Sequence, residues 1–169
     1  MMYFTPDLFA RLNSSRNDAV SRAEREWEDA VQRYRKHFAR IAADLPEELR
    51  RFCSEVYPHD AEIIGLTKGS AAALRRRSAE LFTRQANKLL VITYSLLEKP
   101  LLQKPLESAV FYEAQPIWLY DEVDMPKPAV FSHEILISNG YVFKFLFKQF
   151  EYDEFQIVHP VREKSLATA

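Results

Sequence analysis

Glycine is nearly absent from this chain: Gly65, Gly69 and Gly140 are the only three in 169 residues. None belongs to G-x-G-x-x-G or G-x-x-x-x-G-K-[ST], the loops in which glycine lets backbone N–H groups approach a phosphate. A Rossmann or P-loop nucleotide site is therefore not expected. G-x-S-x-G is missing too, which removes the usual α/β-hydrolase nucleophile. Cysteine occurs once, as Cys53, so an intramolecular disulfide and a cysteine-built structural zinc site are excluded. No apolar run approaches the ~20 residues of a membrane helix; the longest apolar-rich stretch, Leu89 to Leu97, is interrupted by Thr93 and Ser95. The opening Met1-Met2-Tyr3-Phe4-Thr5-Pro6-Asp7 lacks the basic start and apolar core of a signal peptide, and a cytoplasmic location without membrane contact is expected. Net charge is −1 at pH 7, which gives no global attraction to nucleic acid or anionic lipid.

What is present suits one globular domain over residues 1–169. Hydrophobic residues make up 47% of the chain, and 12 Phe with 8 Tyr supply a core. Thr5-Pro6-Asp7 is a helix start, with a capping hydroxyl, proline at the first helical position and an acid near the positive end. The spacing predicts a short helix to Leu12, then a long one capped by Ser15 and reaching Ala43. Its stripe is Val20, Ala23, Trp27, Ala30/Val31, Tyr34, Phe38 and Ile41, in steps of three and four. Leu45-Pro46-Glu47-Glu48 starts a further helix that Pro58 ends, and the short connection predicts an antiparallel helical hairpin. A short strand is expected between Asp60 and Leu66, then a helix from Ser70 to Ala86.

Beyond residue 88 the composition turns β-branched and aromatic, punctuated by proline and glycine. Strands are expected at Leu90–Ser95, Val110–Glu113, Ile117–Asp121, Val130–Ile137, Tyr141–Phe147 and Phe155–Val158. The fold class is thus α+β: an N-terminal helical hairpin packed on a C-terminal antiparallel β-sheet (meander). Residues 1–88 form the mainly helical half, 89–160 the sheet and 161–169 a flexible tail. Asn139-Gly140 reads as a two-residue type I′ turn. Its register sets Leu136 opposite Phe143, Glu134 opposite Phe145 and Ser132 opposite Phe147, which places Glu134 awkwardly among aromatics.

The densest run of ionisable residues is Tyr120-Asp121-Glu122-Val123-Asp124. Together with His59-Asp60 and His133-Glu134 it offers mixed oxygen and nitrogen donors suited to Mg, Mn, Fe or Zn. His59, Asp60, Asp121, Asp124 and His133 are the metal candidates, for a hydrolase whose divalent metal would activate a bound water. No other cofactor is expected. The competing reading is a solvated acidic loop whose aspartates cap turns. His37, His59-Asp60 and Asp121 also thread onto the His … His-Asp … Asp pattern of HD-type phosphohydrolases, an all-helical class with which a sheet disagrees. Cys53 lies on the apolar stripe of a helix, where a thiol behaves as a small buried hydrophobe. Arg75-Arg76-Arg77, with Lys68 and Arg84, is the strongest basic run. On the expected helix its arginines spread around the circumference and make no stripe for nucleic acid. Phe150 to Phe155, with Trp118 and Tyr120, suits either a partner surface or a strand that alternates between core and water.

Tyr3-Phe4-Thr5-x-Asp7-Leu8, His59-Asp60-Ala61 and Trp118-Leu119-Tyr120-Asp121-Glu122-Val123-Asp124, followed by Ser138-Asn139-Gly140, resemble a family of uncharacterised bacterial proteins, a domain of unknown function. The resemblance spans nearly the whole chain. It implies a bacterial origin, an α+β layout, a strand at the central segment and the end of a β-meander at the later ones; it implies no activity. With catalytic signatures absent, the leading expectation is a non-enzymatic interaction module, immunity-like or regulatory, presenting Asp121, Glu122 and Asp124 to an unidentified protein partner. A metal-dependent hydrolase and a nucleic-acid-binding protein stand behind it. The sequence suits a monomer or a homodimer.

Overall fold

The computed structural model describes residues 1–71, 76–104 and 116–157. Helix α1 (Pro6–Leu12) begins as its residues dictate: the Leu8 amide donates to Thr5 Oγ1 at 3.2 Å, Pro6 opens the first turn and Asp7 sits within it. Helix α2 (Asn17–Ile41) starts later than the Ser15 cap predicts. Arg16 is its capping position and makes no side-chain cap bond; the first turn is instead stabilised by Asp18, which ion-pairs with Arg16 at 3.1 Å and Arg22 at 3.0 Å. The first half of α2 packs on α1 and the N-terminal segment, with Leu8, Ala23 and Ala30 buried beside Trp27, Val31 and Tyr34. A 3₁₀ turn (Ala42–Asp44) leads to α3 (Glu47–Glu55). Phe38 and Ile41 from the end of α2 and Leu49 and Phe52 from α3 enter one core with the sheet, so α3 spends its apolar face on strands.

Among the described residues the sheet has seven strands: β1 (Glu62–Ala71), β2 (Arg76–Gln85), β3 (Lys88–Leu96), β4 (Leu101–Gln103), β5 (Trp118–Lys127), β6 (Val130–Ile137) and β7 (Val142–Gln156). All pairings are antiparallel, in the order β1-β2-β3-β7-β6-β5, with β4 added beside the start of β7. The sheet curls until its first and last strands meet at one end. There the Ile63 amide donates to the Pro116 carbonyl at 2.8 Å, Trp118 to Ala61 at 2.8 Å and Asp60 to Trp118 at 2.9 Å. Curling gives a concave inner face, and α3 lies against it: Phe52 contacts Trp118, His133, Phe150 and Tyr152.

The helix expected over 70–86 is the first correction. Lys68, Arg76, Arg77 and Arg84 all lie on strands, and Arg75 lies outside the described residues, as do the strand expected at 110–113 and the tail at 161–169. Alanine, leucine, arginine and glutamate favour a helix intrinsically. In β2, however, Ala79, Leu81 and Thr83 alternate inward to full burial, and β1 and β3 pair with it on either side. Tertiary pairing outweighs local preference here.

The second correction is the β6–β7 register. Gly140 alone takes positive φ (80°) at the turn, the Gly140 amide donates to the Ile137 carbonyl at 2.8 Å, and the Ile137 amide donates to Tyr141. The loop is therefore Ser138-Asn139-Gly140, a three-residue connection ending in a left-handed glycine rather than a type I′ turn. The pairing moves by one residue: His133 faces Phe145, Ile135 faces Phe143, Phe131 faces Phe147, and Glu134 faces Lys144. A shift of one exchanges the faces of a strand. The observed register buries Phe131, Ile135 and Ile137 with the phenylalanines and turns Glu134 outward, which removes the awkward placement. Farther along β7 a register irregularity lets Phe150 join Phe145 and Phe147 in the core. The strand expected at 141–147 falls within this one long strand from Val142 on, and so do Phe155 and Gln156 of the one expected at 155–158, whose last residue lies outside the described residues.

Candidate functional site

The five metal candidates do not converge. With His37 they sort into three His–carboxylate pairs: His59 with Asp60 at 3.1 Å, His37 with Asp124 at 2.8 Å and His133 with Asp121 at 3.0 Å. Among the described residues no three His, Cys, Asp or Glu side chains are grouped to hold a metal ion. The same sorting separates the residues threaded onto the HD-type pattern, because His37 and Asp121 have different partners. The three acids expected on one exposed surface are also divided. Asp121 turns inward and Glu122 and Asp124 turn outward, as alternation along β5 requires. Glu122 is buried, and both its oxygens accept backbone N–H groups, from Met2, Tyr3 and Phe4, each at 2.7 Å. Asp124 Oδ1 accepts from the Met125 amide at 2.7 Å besides meeting His37.

Asp121 has the most constructed surroundings. A register irregularity between Trp118 and Tyr120 brings Trp118 and Asp121 to the same inner side of β5. Trp118 Nε1 donates to Asp121 Oδ1 at 3.2 Å, and His133 Nε2 lies 3.0 Å from Oδ2. Behind the imidazole, the Tyr94 hydroxyl is 2.8 Å from His133 Nδ1. Tyr94, Trp118 and His133 are all fully buried. A carboxylate only accepts, so the hydrogen bonds assign Nε2–H as donor to Asp121 and leave Nδ1 to accept from Tyr94. In this Tyr94–His133–Asp121–Trp118 network every side-chain nitrogen and oxygen has a partner.

Asp121 opens onto a cleft of about 380 Å³ between α2, α3, the α3–β1 connection and β5. One side of α2 contributes Val31, Tyr34, Arg35 and Phe38, at the i, i+3, i+4 and i+7 positions of a single helical face. From α3 come Phe52 and Cys53, from the connection Val56 to His59, and from the N-terminal segment Phe4. Tyr57 and His59 are exposed at the rim, with the His59 ring 5.1 Å from that of Tyr120. The wall is predominantly apolar and aromatic. Tyr34 is anchored by its hydroxyl, which accepts the Val123 amide at 2.8 Å.

The electrostatics of the cleft bear the mark of Asp121. The ionisation of Tyr34, Cys53 and Tyr94 is pushed up, first by burial and next by the negative charge of Asp121. The Cys53 thiol thus stays protonated, as the sequence implies for a cysteine on an apolar stripe. Sequence reasoning singled out Asp121, His133 and His59 but joined them through a metal. It missed Tyr94, and it read Trp118 as partner surface or core strand and not as a partner of Asp121; the only signal for either is general, that a buried phenol or indole needs a polar partner. Neither a family model nor a curated protein matches this chain.

Proposed function

We propose that this protein is a binding module for a small organic molecule with a largely apolar body, received in the cleft between α2, α3 and β5. The observation that carries the reading is a mainly aromatic and aliphatic cleft with, among the described residues, a single firmly oriented carboxylate, Asp121, partly exposed within it. Ligand sites have this composition: apolar walls with few, fixed polar groups, in volumes of roughly 300–1,000 Å³. Asp121, Glu122 and Asp124 have internal partners, so an exposed acidic surface built from all three is not part of the proposal. Arg76 and Arg77 on a strand offer no basic helix for nucleic acid. No helix among the described residues is long and apolar enough to cross a membrane.

The test is a two-dimensional amide NMR titration of the full chain with a hydrophobic fragment set. Shifts confined to Val31, Phe38, Cys53, Val56 and Leu119 support the cleft as the site. Val31→Trp, which fills the space from the α2 side, is expected to abolish them while leaving the spectrum folded. Scattered shifts, or shifts that persist unchanged in Val31→Trp, sink the reading.

A further inference from the structure

We infer that the molecule taken into this cleft is an organic ammonium, an amine with an aryl or alkyl body whose protonated nitrogen ion-pairs with Asp121. The inference rests on the binding role proposed above and names the chemistry of its ligand.

Asp121 is oriented without being neutralised. Its side chain is only 26% exposed, and its two donors, the Trp118 indole and the His133 imidazole, are dipoles rather than a fixed cation. Among the described residues no lysine or arginine ion-pairs with it. With the Tyr94 hydroxyl donating to Nδ1, His133 meets Asp121 through its Nε2–H alone. A carboxylate with no lysine or arginine partner, in poorly solvated surroundings, gains most from a cation brought to it.

The walls suit the same charge. Phe4, Tyr34, Phe38, Phe52 and Tyr120 present ring systems to the cleft, and aromatic faces attract ammonium groups through their quadrupoles. Two groups of the opposite sense are present. Arg35, itself exposed, lies on the cleft-lining face of α2, and His59 at the rim is paired with Asp60. Neither ion-pairs with Asp121.

The experiment is calorimetric titration of the full chain with three probes of similar shape: 2-phenylethylammonium, 2-phenylethanol and 3-phenylpropionate. The ammonium is expected to bind at least about tenfold more tightly than the alcohol, the gain of one desolvated charge contact, and the carboxylate most weakly. Asp121→Asn is expected to bring the ammonium down to the affinity of the alcohol. Should that variant fail to fold, added salt on the wild type decides the matter, because it weakens the ammonium and spares the alcohol only if an ion pair forms. Equal binding of ammonium and alcohol, or a preference for the carboxylate, overturns the inference and leaves the binding role standing. Absence of binding by all three at millimolar concentration overturns both.

Discussion

At the scale of single residues, the decisive group is His133. It sits at 0% exposure among Phe52, Tyr94, Trp118 and Phe150, and both its nitrogens are satisfied by side chains. Removing one partner should cost more than one hydrogen bond is worth, because the other is left buried and unpaired. Tyr94→Phe strands Nδ1 and is expected to lower stability by about 1–2 kcal/mol in urea denaturation. His133→Leu abandons both the Tyr94 hydroxyl and the Asp121 carboxylate; a loss of about 3 kcal/mol or more is expected from an unpaired hydroxyl and a less well-held charge. A loss below that of Tyr94→Phe would show that the chain of hydrogen bonds is not what holds these side chains. Cys53 makes a separate prediction. With its ionisation raised by burial and by Asp121, it should react with a thiol reagent at mildly alkaline pH at least about tenfold more slowly in the native protein than in urea, since only the thiolate reacts. His133 and Asp121 were visible in the sequence as residues of interest. Their partnership was not, because twelve positions and a turn of the sheet separate them.

At the scale of elements, the N-terminal segment is tied down by β5 and β6. Glu122 and Glu134 stand directly opposite one another on those strands, and like charges so placed repel. The repulsion is met from two sides: Glu122 by the three amides of Met2, Tyr3 and Phe4, and Glu134 by Lys144 and the Met1 ammonium group. Phe4, a wall of the cleft, is held in place by this clamp. Glu122→Gln weakens charge-assisted bonds worth about 1.5–3 kcal/mol. Hydrogen-exchange protection is expected to fall at residues 2–4 first, with β6 and β7 unaffected; uniform loss across the sheet would argue against a separate clamp. The β6–β7 turn offers a second check. Gly140 at φ 80° tolerates a side chain poorly, so Gly140→Ala is expected to cost about 1 kcal/mol in thermal or urea melts.

For the whole molecule, acid should be the vulnerable direction. Burial works against the charged form of Glu134, but hydrogen bonds from Lys144 and the Met1 ammonium outweigh it and hold its ionisation below the ordinary range. A carboxylate with a lowered folded value stabilises the protein above its unfolded value, near ~4.3 for glutamate, and loses that contribution as pH falls through the folded one. The melting temperature should therefore drop from mild to strong acid, and Glu134→Gln should be less stable at neutral pH with a flatter acid limb. An acid limb as steep as wild type would place the effect elsewhere.

The same whole-molecule scale divides what the residues determine alone from what folding adds. Periodicity and capping sufficed for α1, most of α2 and α3, and β-branched runs bounded by turn residues sufficed for β3 and β6, because those signals act between neighbours in the chain. They gave part of β1, through the strand expected between Asp60 and Leu66, but not β2, whose sequence favours a helix until β1 and β3 pair with it on either side. They were also one residue out at the β6–β7 turn, where the choice of loop depends on which face of β6 finds an apolar partner. That single step exchanges His133 with Glu134, and so decides which of two adjacent ionisable residues enters the core and reaches Asp121. The cleft is likewise a tertiary product: α2, α3, the N-terminal segment and β5 are far apart in sequence, and curling of the sheet brings them together around one carboxylate.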